Sequence, residues 1–428
     1  MPAHLAEPTP WMILPFILLL ACIALGPLVS GDSWGRHYPK VALGLGAVTL
    51  GYYLIGLRAN SHVLSVAHEY VSFIILIGSL FVVSGGIHLT VKGDATPWEN
   101  VRFLLIGGLA ANLLGTTGAS MLLIRPWIRM NKYRVSPYHI VFFIFVVSNV
   151  GGCLTPIGDP PLFLGYLKGV PFWWVVQHGW PMWVTGIGFL LATFFVVDLI
   201  HYRTVPKVVR TLAEPRDNYY FNGMHNVLFL GLILGAVFVN RPVFLREALM
   251  LTAAAGSWFT TRRDIHQSNK FNFHPIKEVA ILFAGIFATM MPALDWLQAN
   301  AATSAQKLGG FAPDMFYWGS GALSSVLDNA PTYLSFLSAA SGDAVNDPAK
   351  ISALTGDPTF GGLLLAISIG SVFFGANTYI GNGPNFMVKS IADQQKVATP
   401  SFMGYVFKFT LPVMLPMLVL VWFLFFRR

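Results

Sequence analysis

Charge is what this chain has least of. Asp, Glu, Lys and Arg make up 11% of its 428 residues, and 55% are hydrophobic. An ordinary soluble domain carries about 25% charged residues. A soluble body of this size needs a polar coat, and too few charges exist to build one. Cysteine is almost missing as well. Cys22 and Cys153 each lie in an apolar run, which excludes a disulfide framework and a clustered zinc site. No GxxxxGK phosphate loop occurs, and the sequence from His68 (HEYVS) does not complete the zinc motif HExxH. No segment remains for soluble catalysis, so the chain is not read as an enzyme, and no cofactor is expected. The formal net charge of +8 does not point to nucleic acid. The basic residues are scattered in short segments between apolar runs instead of forming one basic module. The first apolar run has no basic segment before it and no small-residue cleavage site after it, and reads as a retained helix.

What is present is a series of apolar runs near the ~20 residues that a spanning helix needs. Ten qualify: Trp11–Leu28, Val41–Leu57, Tyr70–Leu89, His139–Leu167, Phe172–Ile200, Val227–Val239, Ala248–Phe259, Val279–Leu297, Gly361–Val388 and Phe402–Phe426. Two further stretches, Val101–Ile128 and Asp314–Ala340, are interrupted at mid-length by Asn112–Ser120 and Ser324–Thr332. Irregular backbone at membrane depth is tolerated only where protein or a cavity surrounds it, so both read as re-entrant hairpins. The expected fold is an all-α polytopic membrane protein, about ten transmembrane helices plus two hairpins, with the lipid bilayer as its surroundings. With both termini outside, 18 of the 27 Lys and Arg fall inside and 8 outside, as the positive-inside rule requires. Full spans in place of the hairpins would scramble that bias.

The chain also repeats itself. Glu69 and Glu278 each open a helix; Leu114–Gly118 falls opposite Leu327–Pro331; and Gly151–Phe163 matches Phe374–Phe386 through Thr155/Thr378, Ile157/Ile380, Gly158/Gly381, Pro161/Pro384 and Phe163/Phe386. The layout sends the first unit in from outside and the second from inside, an inverted repeat whose broken segments mark a midplane site. One breaker suffices for a kink, whereas Thr155–Pro161 has four in seven residues beside a charge. The expected division is residues 1–60 as N-terminal scaffold, 61–202 as the first repeat, 203–276 as linking helices and loops, and 277–428 as the second repeat.

Acids inside a membrane are costly and mark function. Asp159 lies in the first broken helix and Asp328 in the second hairpin, opposite the neutral Asn382 and Gly115. Around them stand oxygen ligands suited to a small hard cation: Ser148, Asn149, Thr155, Asn329, Asn377, Thr378, Thr116, Thr117 and Ser120, with the backbone at Gly158. Sodium at Asp159 and Asp328 is therefore the expected ion. A carboxylate enclosed in low dielectric can trade a proton for a metal ion, the minimal chemistry of cation/proton exchange. Asp159 can equally end a turn, and Asp328 can cap the helix that resumes after Pro331; capping does not exclude ion contact. Glu69 and Glu278 are proton-path candidates or interfacial anchors. Asp198 and Asp295, near helix ends, are expected at the interface, and Asn112 has no partner in the repeat.

Ser148–Pro161 resembles the broken-helix motif of the ion transporter superfamily, which includes NhaD-type sodium/proton antiporters, citrate–metal and dicarboxylate transporters and arsenite permeases. Thr116–Pro126 looks closer to a bacterial branch described as sodium/proton antiporters or citrate transporters. The resemblance covers residues 60–425. It implies a homodimer in a bacterial inner membrane, elevator-like movement of the hairpin domain, and a site drawn from Asn112–Ser120, Ser148–Pro161, Asp328–Thr332 and Ala376–Asn385. The hairpin tips depart from the Ser-Asn-Thr signature of the dicarboxylate branch, reading Gly115-Thr-Thr and Asp328-Asn-Ala. An acid at a tip repels a carboxylate unless cations screen it. The expected function is thus sodium or lithium exchange for protons. Cation-coupled symport of citrate or a related small carboxylate, or arsenite-type permeation, is the alternative.

Overall fold

The computed structural model describes residues 8–90, 96–204, 220–239, 242, 244–269, 271–307 and 312–427. Lys92 and most of the basic segment Arg203–Arg216 lie outside the described residues. The described residues are mostly helical, and among them six helices are long and apolar enough to cross a membrane.

In order, the elements are α1 (Leu14–Gly51), α2 (Asn60–Gly85), α3 (Pro97–Met130), α4 (Pro137–Val146), α5 (Pro160–Leu167), α6 (Trp174–Thr204), α7 (Asn226–Ala236), α8 (Leu245–Thr260) and α9 (Arg263–Ser268). There follow α10 (His274–Lys307), α11 (Pro313–Ser324), α12 (Asn329–Ser341), α13 (Pro348–Leu354), α14 (Pro358–Phe374), α15 (Gly383–Gln394), α16 (Phe402–Tyr405) and α17 (Leu415–Phe425), the last two joined by a π-helical stretch, Val406–Met414. Proline opens many of these helices, where its missing N–H costs nothing. Asp347 and Asp357 cap α13 and α14 by accepting from the backbone N–H groups of the first turn. A short antiparallel ribbon, β1 (His88–Thr90) with β2 (Tyr220–Asn222), has no counterpart in the sequence reading.

Two spans separated by a loop are expected; the backbone is locally helical from Leu14 to Gly51 and on through a π-helical turn to Gly56, but this run is not one straight helix. A straight helix would hold Phe16 and Tyr53 about 55 Å apart. Yet Phe16 shares a crevice with Ala293 and Trp296 of α10, and Tyr53 donates to Asp295 of the same helix at 2.5 Å. The chain therefore doubles back within α1, where Gly26 lies against the ring of Trp34.

α3 folds back too. Its helical run is broken at Gly115, with φ 73° and ψ 153°, a conformation that glycine adopts most cheaply. Asn100 and Asn131 would be about 46 Å apart in a straight helix, but their amides exchange hydrogen bonds of 2.9 and 3.0 Å. Phe103 stacks on Trp127 at 5.3 Å between ring centres. Both pairs are nearly symmetric about Gly115, so α3 is a hairpin with its tip there. α11 and α12 make the second hairpin, closed by Phe316 against Phe336 at 5.5 Å.

The hairpins approach from opposite ends. The base of the first is tied through Asn100 to Asp198 near the end of α6 (2.9 Å). The chain beyond the second is tied to the start of α6, where Trp174 Nε1 donates to the Thr355 carbonyl (3.3 Å). The order helix, hairpin, broken helix, helix occurs twice, in α2–α6 and in α10–α17. The broken helices sit at the centre. Residues 138–146 of α4 are all buried, and 83% of the apolar window of α14 is buried, against 28% for the final helix. Such all-round apolar helices belong in an interior.

Asp198, near the end of α6, is not open to solvent. It is fully buried and bonded by Arg134, Tyr138 and Asn100. Asp295, held by Tyr53, lies 3.4 Å from His62. Both acids have basic neighbours that offset the cost of burial. Asn100→Ala removes three buried hydrogen bonds from the hairpin base. It is expected to cost about 1–3 kcal/mol, read as a lowered Tm of the purified protein.

Candidate functional site at the meeting of two hairpins and two broken helices

The first helix break runs between α4 and α5, the second between α14 and α15. Each is folded the same way. Thr155 Oγ1 donates to the Asn112 carbonyl, and Thr378 Oγ1 to the Ser325 carbonyl, both at 2.6 Å. The Gly158 N–H donates to Thr155 Oγ1, and the Gly381 N–H to Thr378 Oγ1, both at 3.1 Å. Each threonine thus ties a hairpin to its broken helix while satisfying backbone that the break exposes. Asn112 and Ser325 were missed as counterparts because different side chains accept through the same backbone atom.

Asp159 lies where these pieces meet. Its side chain is fully buried. Oδ1 accepts from Thr116 Oγ1 at the first hairpin tip (2.8 Å) and from Asn382 Nδ2 in the second break (3.2 Å). Oδ2 accepts from Asn329 Nδ2 of the second hairpin (2.6 Å). Asn382 also donates to the Ser148 carbonyl and to Asn149 Oδ1, both at 3.1 Å. Asn149 donates to Asn385 Oδ1 at 2.7 Å, and Ser148 meets Ser120 hydroxyl to hydroxyl, also at 2.7 Å. Of the residues singled out in the sequence, Thr116, Ser120, Ser148, Asn149, Asp159, Asn329 and Asn382 therefore form one connected cluster. Asn385, buried and bridging the breaks, carried no separate signal.

The other side chains singled out are not hydrogen-bonded into this cluster, although Asp328 shares a crevice with its member Asn382. Asp328 makes no hydrogen bond to the Asp159 cluster. It caps α12 by accepting from the Ala330 N–H (3.1 Å), and its side chain opens on a crevice shared with Glu278. Asn377 donates to Ser325 Oγ (2.9 Å). Thr117 lines a small crevice beside the first tip. Glu69 is paired with Lys168 at 2.8 Å in a different cavity, and Glu278 lies 4.0 Å from His274.

Asp198 has an arginine, whereas the three donors to Asp159 are neutral. A buried carboxylate without a basic partner is costly to keep charged, which makes Asp159 a candidate site for a proton or a cation. The Oδ1 atoms of Asn329 and Asn377 are buried with no donor among the described residues, and acceptor oxygens in that condition suit a hard cation. Among the described residues no group of three His, Cys, Asp or Glu comes together, so any metal held here takes mainly neutral oxygens. The N-termini of α5, α12 and α15 converge on the same centre, and helix N-termini favour anions.

Hairpin tips and broken helices gathered around a buried acid without a basic partner define a membrane transporter of the polytopic all-α class. The chain belongs to the family described as "Putative citrate transport", whose family model matches residues 5–426. No curated protein matches it.

Proposed function

We propose that the protein is an alternating-access secondary transporter that couples a sodium ion or proton at Asp159 to movement of a citrate-class carboxylate. One observation carries the alternating access. Beside the second hairpin tip a crevice of about 250 Å³ reaches Asp328 and Asn382. Beside the first tip lies its counterpart, formed by the repeat-equivalent positions: Gly115 for Asp328, Ile157 for Ile380, Phe163 for Phe386 and Phe73 for Leu282. That crevice encloses about 20 Å³. Two equivalent passages, one open and one shut, are what one state of an inverted-repeat transporter requires. In the charge-derived layout the open passage faces the cytoplasm.

The family match and the three converging helix N-termini support the carboxylate. The two acids in the open crevice, Asp328 and Glu278, favour a second reading, sodium/proton antiport. Proteoliposomes separate the two. Symport gives labelled citrate uptake that depends on an imposed sodium or proton gradient. Antiport gives sodium-driven collapse of a pH gradient with no carboxylate present. Absence of gradient-dependent citrate uptake between pH 6 and 9 defeats the first reading.

A further inference from the structure

A cavity of about 1000 Å³ lies at the end of the molecule opposite the open crevice. Its wall brings together Arg58, His62, His68, Glu69, Lys168 and Arg246 from segments remote in sequence. Of the eight Lys and Arg that the charge layout puts outside, three meet here. Acids offset part of this charge: Glu69 pairs with Lys168 at 2.8 Å, Glu247 with Arg246 at 2.8 Å, and Asp295 lies 3.4 Å from His62. Arg58 is exposed at φ 52° and has no acidic partner among the described residues. His68 Nε2 is buried without a hydrogen-bond partner among the described residues. The crevice at the other end has the opposite character, with Glu278 and Asp328 and no Lys or Arg among the described residues of its lining.

The cavity also stands in line with the shut passage. On α2, Glu69 and Ser72 line the cavity, while Phe73 and Leu76 line the narrow crevice beneath it. An anion collected here waits directly above the route that opens when the transporter changes state. Low-dielectric walls focus the field of such a basic cluster and raise the local anion concentration.

We propose that this cavity is the receiving vestibule for a small di- or tricarboxylate, with Arg58 as its attracting charge and His68 as a hydrogen-bonding wall. This rests on the carboxylate reading above. The test uses labelled citrate and the full chain in neutral phosphatidylcholine liposomes, which keep anionic headgroups out of the cavity. Arg58→Gln and Arg58→Gln/His68→Gln are compared with wild type at low and high salt, in both vesicle orientations. From the Arg58 side, KM for citrate should rise about tenfold at low salt, with kcat kept and the salt dependence flattened. Arg58→Lys should restore the wild-type KM, and uptake from the opposite side should be unchanged. Wild-type uptake with an unaltered KM in both variants overturns the vestibule alone. No citrate uptake by wild type overturns the carboxylate reading and the vestibule with it.

Discussion

Asp159→Asn is expected to leave a folded protein that has lost coupled transport. The substitution keeps the shape but replaces one acceptor oxygen with a donor. Thr116, Asn329 and Asn382 all donate to this carboxylate, so an amide must turn its own N–H groups toward at least one of them. A hydrogen bond to a charged group is worth about 1.5–3 kcal/mol, and the charge that would hold the cation is lost as well. Affinity for the coupling ion should fall on the order of 100-fold or more. Stability should not fall, because an acid with no basic partner contributes desolvation cost along with its hydrogen bonds. Gradient-driven flux and ion binding read the first effect, and Tm the second. A variant with full flux would show that the cation is held elsewhere.

Gly158→Ala should fail in a different way. A Cβ here would press into the Gly152 carbonyl oxygen and lie 3.2 Å from that of Thr155. Both obstacles are backbone and cannot swing aside. The carbonyl of Gly158 also accepts from the Thr116 N–H at 2.7 Å, so widening the break pulls the first hairpin tip off its seat. The expected loss is on the order of 4 kcal/mol, seen as little monodisperse protein and a sharply lower Tm. Gly381→Ala, with its Cβ 2.6 Å from the Gly375 carbonyl oxygen, should behave likewise. Gly383→Ala meets nothing within 4 Å and should resemble wild type. Equal melting of all three variants would show that the breaks yield more easily than their packing implies.

Much of this centre was legible because helix breakers are local signals. The runs at Gly115 and Gly158 announce irregular backbone, and matching Asp159 with Asn382 already pairs two residues that prove to be in contact. Side-chain direction was not legible. Asp328 and Asn329 are neighbours, yet at the start of α12 one turns to its own backbone and the other to Asp159. Burial was not legible either. Asp198 is near the end of α6, but its burial depends on Arg134, 64 residues earlier, and no local pattern reports that partner. The ribbon between residues 88–90 and 220–222 is likewise a purely long-range pairing of three-residue strands. In α1 the two expected legs are there, but the segment joining them kept helical backbone where a loop was expected.

Asn382 and Asp159 touch at 3.2 Å, although they are the same position in the two halves. Two acids facing each other across a symmetry axis at that separation would not ionise together. Nor can both positions be amides if the centre is to carry charge. Identical halves would therefore give either an acid pair sharing one proton, its single negative charge spread over both sides, or a neutral amide pair. The acid–amide pair is the smallest departure from symmetry that fixes the charge on one side. It turns a duplicated scaffold into a centre with one charge and one donor to hold it.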